Sequence, residues 1–193
     1  QRATDITLER VELPNAQETL WNCNDITLKH VNAAGDYFAM NSENIHIEHF
    51  TLSGNYAFDG AKNIEISHAK LLSKDAFWNC ENVVVRDSTI IGEYLGWNSK
   101  NITFIDCIIE SNQGMCYMEN VKMENCLLIN TDLAFEYSTV DVQANGRIDS
   151  VKNPISGTIT ASGIGELILD DPEIAAENTK YQLAEDREYA IRL

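Results

Sequence analysis

The chain has 193 residues, with 30 Asp and Glu against 14 Lys and Arg, and its formal net charge is −16. This length suits one domain or one elongated array, and 44% hydrophobic residues with only 3 prolines favour a folded core. The negative charge argues against nucleic acid and anionic membrane surfaces as partners. No apolar run approaches the roughly 18 residues that a membrane-spanning helix needs.

A short motif, Asn or Asp followed by alternating apolar residues, recurs along the chain with a constant 19-residue spacing. Examples are Asn44-Ile45-His46-Ile47 and Asn63-Ile64-Glu65-Ile66, which are consecutive rows. The rows at this constant step begin at Asp25, Asn44, Asn63, Asn82, Asn101, Asn120 and Thr139. Asp5 begins one more row, at a step that is longer by a single position. Such self-similarity is typical of solenoid proteins.

Three apolar columns line up when the rows are superposed. The first and third residues after each row start are apolar, which predicts a strand with one buried face. The second column, eight residues after the row start, contains Ala33, Leu52, Leu71, Ile90, Ile109 and Leu128. The third, five residues before the next row, contains Leu20, Ala39, Phe58, Phe77, Gly96, Met115 and Ala134. Three inward-facing stretches in so short a repeat leave no room for a helix in each turn.

These columns predict an all-β fold, a single parallel β-helix of about eight turns stacked roughly 4.8 Å apart. The column of asparagines fits this stack, because carboxamides in register can hydrogen-bond to one another along it. Asn also tolerates the left-handed backbone conformation that a bend between strands often needs.

The repeat weakens after Val142, where glycines accumulate up to Gly165. We expect the β-helix to occupy residues 1–170 and residues 171–193 to form a C-terminal cap or tail that covers the last turn. No cap is visible before Asp5, so we also expect further turns to precede Gln1.

The 5 cysteines have neither Cys-x-x-Cys spacing nor histidines at zinc-site distances. We therefore expect buried structural thiols and a reducing compartment. Since the chain as given opens without a signal segment, cytoplasmic localisation is the corresponding expectation.

Longer phrases within the rows carry a family resemblance. They include Leu20-Trp21-Asn22-Cys23, Asp36-Tyr37-Phe38-Ala39-Met40-Asn41-Ser42, Phe58-Asp59-Gly60-Ala61-Lys62-Asn63, Ala76-Phe77-Trp78-Asn79-Cys80 and Tyr94-Leu95-Gly96-Trp97-Asn98-Ser99. From about Asp5 to Gly157 the chain resembles a bacterial family of unknown function that is assigned to the right-handed, pectate-lyase-like β-helices. The resemblance implies a right-handed β-helix with further turns upstream, and it implies no particular activity.

Aromatic residues recur in the column four residues before each row start. Trp21, Trp78 and Trp97 belong to this column, which should face outward because its neighbour is apolar throughout. Exposed tryptophans beside acids suit a sugar-binding surface, since flat rings contact the apolar face of a sugar. If the residues that face the core were shifted by one position along the strand, the tryptophans would instead be buried in the core.

Acidic side chains follow the same strip. Asp36, Asp132 and Glu136 join the tryptophans as predicted substrate-binding residues, and Asp59, Asp75 and Glu93 are the predicted catalytic carboxylates. Glycoside hydrolysis uses two such groups, and Asp59 with Asp75 is the first choice for acid and base. The alternative to a catalytic role for Asp59 is a structural one, in which Asp59-Gly60 forms an ordinary turn.

Other chemistries are less favoured. A polyuronate lyase needs basic residues, and the net charge has the wrong sign for an anionic substrate. Calcium held by the acids could reverse that sign, but no calcium-binding loop pattern is present, so we predict no cofactor and no metal site. His49 and His68 share a column and should face each other as a solvated pair.

Two hypotheses follow. In the first, the acidic and aromatic strip binds or hydrolyses a carbohydrate or a similar polyhydroxylated ligand. In the second, the chain is a non-catalytic scaffold that assembles with copies of itself or with another protein.

Overall fold

The structure, a computed structural model, describes residues 1–184 and 190–192. These residues form an all-β parallel solenoid of about 9 turns, which confirms the predicted fold class and the 19-residue spacing. Residues 185–189 and 193 of the predicted tail lie outside the described part of the chain.

Strands of the solenoid pair in parallel with those of the next turn. In chain order they are β1 (Thr4–Leu13), β2 (Asn24–Ala34), β3 (Glu43–Ser53), β4 (Lys62–Leu72), β5 (Glu81–Arg86), β6 (Thr89–Ile91), β7 (Lys100–Ile105), β8 (Ile108–Glu110), β9 (Glu119–Ile129), β10 (Thr139–Ala144), β11 (Arg147–Lys152), β12 (Ser156–Ala161), β13 (Gly163–Ile168), β14 (Thr179–Leu183) and β15 (Ala190–Arg192). The main sheet has 12 strands, and β11, β13 and β15 form a second sheet of 3 strands.

Each long strand has a bend in its middle. In β3 the bend is at His49, whose φ is 55°, and in β4 it is at His68, whose φ is 53°. In the next two turns Asp87 and Asp106 take the same left-handed conformation, and the strand divides there into two. The bend lets one strand line two sides of the core.

The third stretch of each turn is not a regular strand. In the turn after β4, the left-handed residues Asp75, Phe77 and Asn79 alternate with residues of ordinary conformation. This alternation breaks the pleat, yet the backbone stays paired with the next turn: Phe77 N donates to the Ala57 carbonyl at 2.9 Å. Asp75, Ala76 and Phe77 are buried in succession, so the side chains here do not follow the strict inside–outside alternation of a strand.

The predicted asparagine column forms a hydrogen-bonded ladder. Asn63 Nδ2 donates to Asn44 Oδ1 at 3.1 Å, and Asn82 Nδ2 donates to Asn63 Oδ1 at the same distance. Asn101 and Asn120 extend the series with bonds of 3.0 and 2.8 Å. Every member has a positive φ, for example 59° at Asn82, so both predicted properties of Asn are used.

The core is filled by the predicted inward-facing columns. Ile45, Ile64 and Val83 are buried just after the ladder, and Phe58 stacks on Phe77 with ring centroids 5.3 Å apart. The five cysteines are free and buried, in agreement with structural thiols. Burial raises the pKa of Cys116 to about 12, which keeps this thiol protonated and unreactive.

Ala134, the last residue of the third column, is buried as predicted, but its register differs from that of the earlier turns. Phe135, not Ala134, occupies the place that Met115 holds one turn earlier, because the left-handed triplet comes one position later here than the constant step would place it: Leu133 corresponds to Gln113. The extra residue turns Phe135 into the core, fully buried, and moves Glu136 into the column of the tryptophans.

Part of the predicted tail continues the stack. Beyond Asp171 the chain forms a short 3-10 helix (Ala176–Asn178), then β14 pairs with β12 and β15 pairs with β13. No helix among the residues described is long and apolar enough to cross a membrane.

Candidate functional site

Seven aromatic side chains form a continuous ridge along one side of the solenoid. We call this ridge the aromatic ladder; its members are Trp21, Tyr37, Tyr56, Trp78, Trp97, Tyr117 and Tyr137. Successive ring centroids are between 4.8 Å (Tyr37 to Tyr56) and 6.3 Å (Trp21 to Tyr37) apart. Each ring thus touches the ring of a neighbouring turn.

The tryptophans lie outside the core and are half-buried. Two of the indole N–H groups bond to the backbone of the following turn: Trp21 Nε1 donates to the Tyr37 carbonyl at 2.6 Å, and Trp78 Nε1 donates to the Tyr94 carbonyl at 2.7 Å. These bonds hold the indole rings against the surface. Cys116, which follows Trp97 in the same column, is fully buried instead.

Rings at right angles enclose a corner in the middle of the ladder. Tyr56 meets Trp78 at an interplanar angle of 88°, and Tyr94 meets Trp97 at 78°. Together with Lys74 and Asp75 they line a cavity of about 340 Å³. We call these six residues the aromatic corner.

Asp75 is the buried acid of the aromatic corner, with 2% of its surface exposed. It occupies the column of Tyr56 and Tyr94, and it lies close enough to Tyr56 for the phenol group to act on its pKa. Burial raises the pKa of Asp75, and the carboxylates of Glu93 and Asp59 add to that rise, while Lys74 and Tyr56 oppose it. A carboxyl group with a raised pKa beside a cavity is a common feature of functional sites.

Lys74 connects the aromatic corner to Glu93. Its Nζ lies 3.4 Å from Glu93 Oε2 and 5.2 Å from the centroid of the Tyr94 ring. The hydrogen bond to Glu93 is the main cause that raises the pKa of Lys74, so the ammonium stays charged at neutral pH. The predicted catalytic residue Glu93 is therefore exposed but ion-paired.

Asp59 has a structural partner. Its Oδ1 accepts a hydrogen bond of 2.9 Å from Asn79 Nδ2, and Asn79 in turn accepts one from Asn98. Asp59 therefore begins a short polar ladder beside the aromatic corner. The neighbouring Gly60 has φ +70° and lies against Asn41, where an added Cβ would be 2.2 Å from Asn41 Oδ1.

The other predicted binding residues lie towards the two ends of the aromatic ladder. Asp36 accepts a hydrogen bond from the Asn55 backbone at 2.7 Å, near Tyr37. At the other end Glu136 is largely buried and its Oε1 lies 2.9 Å from Lys152 Nζ, while Asp132 is exposed. The structure thus gathers Asp75, Trp78 and Trp97 in one cavity and distributes the rest along the ridge.

The tyrosines of the ladder were missed in the sequence. Tyr37, Tyr56 and Tyr94 share the column twelve residues after the row start, a column that also contains Asp75. The recurrence of tyrosine at this position of the repeat is the sequence signal for these three residues. Tyr117 and Tyr137 lie in another column and could not be found in the same way.

Two other surface grooves are less suited to a ligand. One, of about 530 Å³, follows the asparagine ladder, whose amides already bond to one another. The other, of about 500 Å³, contains His30, His49 and His68. Their rings stack with centroids 4.6 and 4.9 Å apart, which confirms the expected facing of His49 and His68 and adds His30. No group of three His, Cys, Asp or Glu in the described ranges is placed to hold a metal ion.

Comparison with known proteins places the chain in a family. The model of the family described as "Protein of unknown function (DUF3737)" matches residues 1–182, so the chain belongs to this family. Comparison with curated proteins and with solved structures returned no match. The membership agrees with the family of unknown function expected from the sequence, whereas the relationship to pectate-lyase-like β-helices stays an expectation.

Proposed function

We propose that this member of the DUF3737 family binds an extended carbohydrate along the aromatic ladder, with the aromatic corner as the central subsite. The observation that carries this proposal is the cavity of about 340 Å³ in which four aromatic rings surround the buried Asp75. An apolar cavity with a few polar groups and a perturbed carboxyl group is the usual form of a small-molecule site.

The perpendicular rings suit a sugar. At each right angle one ring offers its face and the other its edge, so a sugar ring can place its C–H face on an indole of Trp78 or Trp97. Lys74 and Asp75 then supply a donor and an acceptor for hydroxyl groups at the same place.

The rest of the ladder suits a chain of sugars. Aromatic side chains follow from turn to turn at roughly the 4.8 Å spacing of stacked strands, so an oligomer lying along the solenoid meets one after another. Tyr37 and Tyr56 stack face to face with an interplanar angle of 6°, and they therefore contact a ligand with ring edges and hydroxyl groups. Affinity should grow with oligomer length.

The aromatic corner also suits glycoside hydrolysis. One carboxyl group must protonate the leaving oxygen, and a second must act as base or nucleophile. Asp75 fits the acid, because burial raises its pKa towards the range in which it keeps a proton. Asp59, which lies close enough to influence that pKa, is the proposed second group, and Glu93 is the other candidate.

The test is a glycan array together with a reducing-sugar assay on neutral and charged oligosaccharides. We expect the wild type to bind and Trp97→Ala to lose most of this binding, while circular dichroism shows that the variant is folded. Any sugar release should fall at least about 100-fold in Asp75→Asn, because general acid catalysis contributes that much. Asp141→Asn, an exposed acid on β10, is the matched control. Equal binding by wild type and Trp97→Ala, or no binding at all, would contradict the proposal.

A self-assembling scaffold is the second candidate, because another face of the solenoid exposes an apolar patch. Leu72 on β4, Ile108 on β8, and Leu127 and Ile129 on β9 are each between 37% and 41% exposed. The strand register places Ile108 beside Leu127. Ile108, Leu127 and Ile129 lie in adjacent turns and make an apolar surface, with Leu72 two turns away, which a second copy of the chain could cover.

A further inference from the structure

We infer that the ligand of the aromatic corner carries protonated amino groups, as in a deacetylated amino-sugar polymer. This inference rests on the proposed carbohydrate binding and narrows it to a substrate class. It follows from three features of the described residues: the ring arrangement, the buried carboxyl group, and the charge along the ladder.

The ring arrangement is suited to a cation. The faces of aromatic rings carry partial negative charge, and rings that enclose a corner attract ammonium groups more strongly than a single ring. Tyr56, Trp78, Tyr94 and Trp97 enclose such a corner. The Nζ of Lys74 already lies 5.2 Å from the centre of the Tyr94 ring, which shows that an ammonium group is accommodated against this wall.

Among the described residues the buried carboxyl group forms no direct ion pair, although Lys74 acts on it from a distance. Lys74 is the nearest positive charge on Asp75, but its Nζ is engaged by Glu93 at 3.4 Å. Burying a carboxylate without a full partner costs free energy, which a ligand ammonium group at this place would offset. A neutral sugar hydroxyl could not do so to the same extent.

The charge along the ladder has the sign that attracts a polycation. In the described part of the chain Asp36 and Asp59 lie along the ridge without an ion pair, while Glu93 and Glu136 are paired with lysines, and the net charge of the chain is −16. Such a field steers a cationic polymer towards the surface and repels polyuronates. A polymer of amino sugars presents both features that the ridge can use: an apolar ring face for the tryptophans and an amine in each unit for the acids.

Protonation of Asp75 should couple to binding. A bound ammonium group favours the carboxylate form, so affinity for an amino sugar should fall as the pH is lowered through the raised pKa of Asp75. A neutral sugar should show no comparable loss.

The experiment is isothermal titration calorimetry with three oligosaccharides of equal length: glucosamine, N-acetylglucosamine and cellulose oligomers. We expect glucosamine oligomers to bind at least about tenfold more tightly than the other two, since a desolvated cation–π contact is worth about that factor. The preference should weaken with added salt. In Asp75→Asn the preference should fall to the part that the ring faces supply, while binding of the N-acetylated oligomer remains, and Asp141→Asn should keep the full preference.

The outcomes separate the two proposals. If acetylated and free amines bind equally, the inference is wrong and carbohydrate binding stands. If none of the oligosaccharides binds, the proposed function fails. If polylysine of matched charge competes as well as glucosamine oligomers, the site recognises charge alone and the inference is overturned.

Discussion

Asp75 shows at the scale of a single residue how the site and the fold compete. Its neighbours in the same column are Tyr56 and Tyr94, which rest on the surface as amphipathic rings, whereas Asp75 is covered and its pKa is raised by burial. A carboxyl group that prefers its neutral form in the folded chain lowers stability when it must ionise. A destabilising buried carboxyl group at position 75 agrees with the proposed role of Asp75 in the aromatic corner.

We predict that Asp75→Asn is more stable than the wild type at neutral pH. Because the folded-state pKa lies above the unfolded value of about 3.9, ionisation of Asp75 disfavours folding increasingly as the pH rises from that value through the raised pKa. Asn removes this penalty and keeps a polar side chain beside Tyr56. The measurement is the melting temperature of both proteins between about pH 4 and pH 7, the range in which the difference should grow.

The exposed control Asp141→Asn should change the melting temperature little across the same range. A variant Asp75→Asn that is less stable than wild type at neutral pH would show that the carboxylate is stabilised in place, contrary to the assignment.

The asparagine ladder is the feature that joins turns at the scale of the element. Asn82 has φ 59°, donates to Asn63 and accepts from Asn101. Its side chain and its backbone conformation therefore both serve the bend at the start of β5. The two contributions can be separated because Gly tolerates the same φ but has no amide.

We predict that Asn82→Ala lowers the free energy of unfolding by about 2 kcal/mol, from two lost side-chain hydrogen bonds at an exposed position and a left-handed alanine. Asn82→Gly loses the same bonds without the conformational strain and should be the less destabilised of the two. Urea unfolding of the three proteins measures the difference. If the alanine variant is at least as stable as the glycine variant, the bend does not depend on the left-handed conformation at Asn82.

Stacking distributes charge and apolar surface over the molecule as a whole. Lys62 and Glu81, and Lys100 and Glu119, form ion pairs between adjacent turns at 3.6 and 3.3 Å, so part of the acidic charge is balanced locally. The exposed apolar residues Leu72, Ile108, Leu127 and Ile129 have two charged neighbours. Lys70 lies in the column of Ile108, and Glu110 lies in the column of Leu72 and Ile129.

We predict that the chain dimerises through this patch. Sedimentation velocity should show a shift from monomer to dimer with increasing protein concentration, and the double variant Ile108→Lys, Leu127→Lys should stay monomeric because charges in the patch are costly to bury. Trp97→Ala, which alters the aromatic ladder, should dimerise like the wild type. A wild type that is monomeric at all concentrations would remove the self-assembly hypothesis.

The repeat accounts for how much of the fold could be predicted. Residues such as Ile45, Ile64 and Val83 recur at a constant step, so one row identifies the strand and its buried face for all rows. The third column was predicted as a strand, but left-handed residues such as Phe77 make it a turn. Phe and Met carry no sequence signal for that conformation, which the stacked backbone imposes on them.

The sequence by itself determined the stacked turns, the buried columns and the asparagine ladder, because these depend on residues that are equivalent in every row. Only the tertiary structure decided which residues from different columns meet. Tyr56, Asp75, Trp78 and Trp97 come together because three successive turns stack in register, and each of these turns contains residues in the left-handed conformation. The extra residue before Leu133 likewise placed Phe135 at the position that Met115 holds one turn earlier, a shift of register that a constant step cannot reveal.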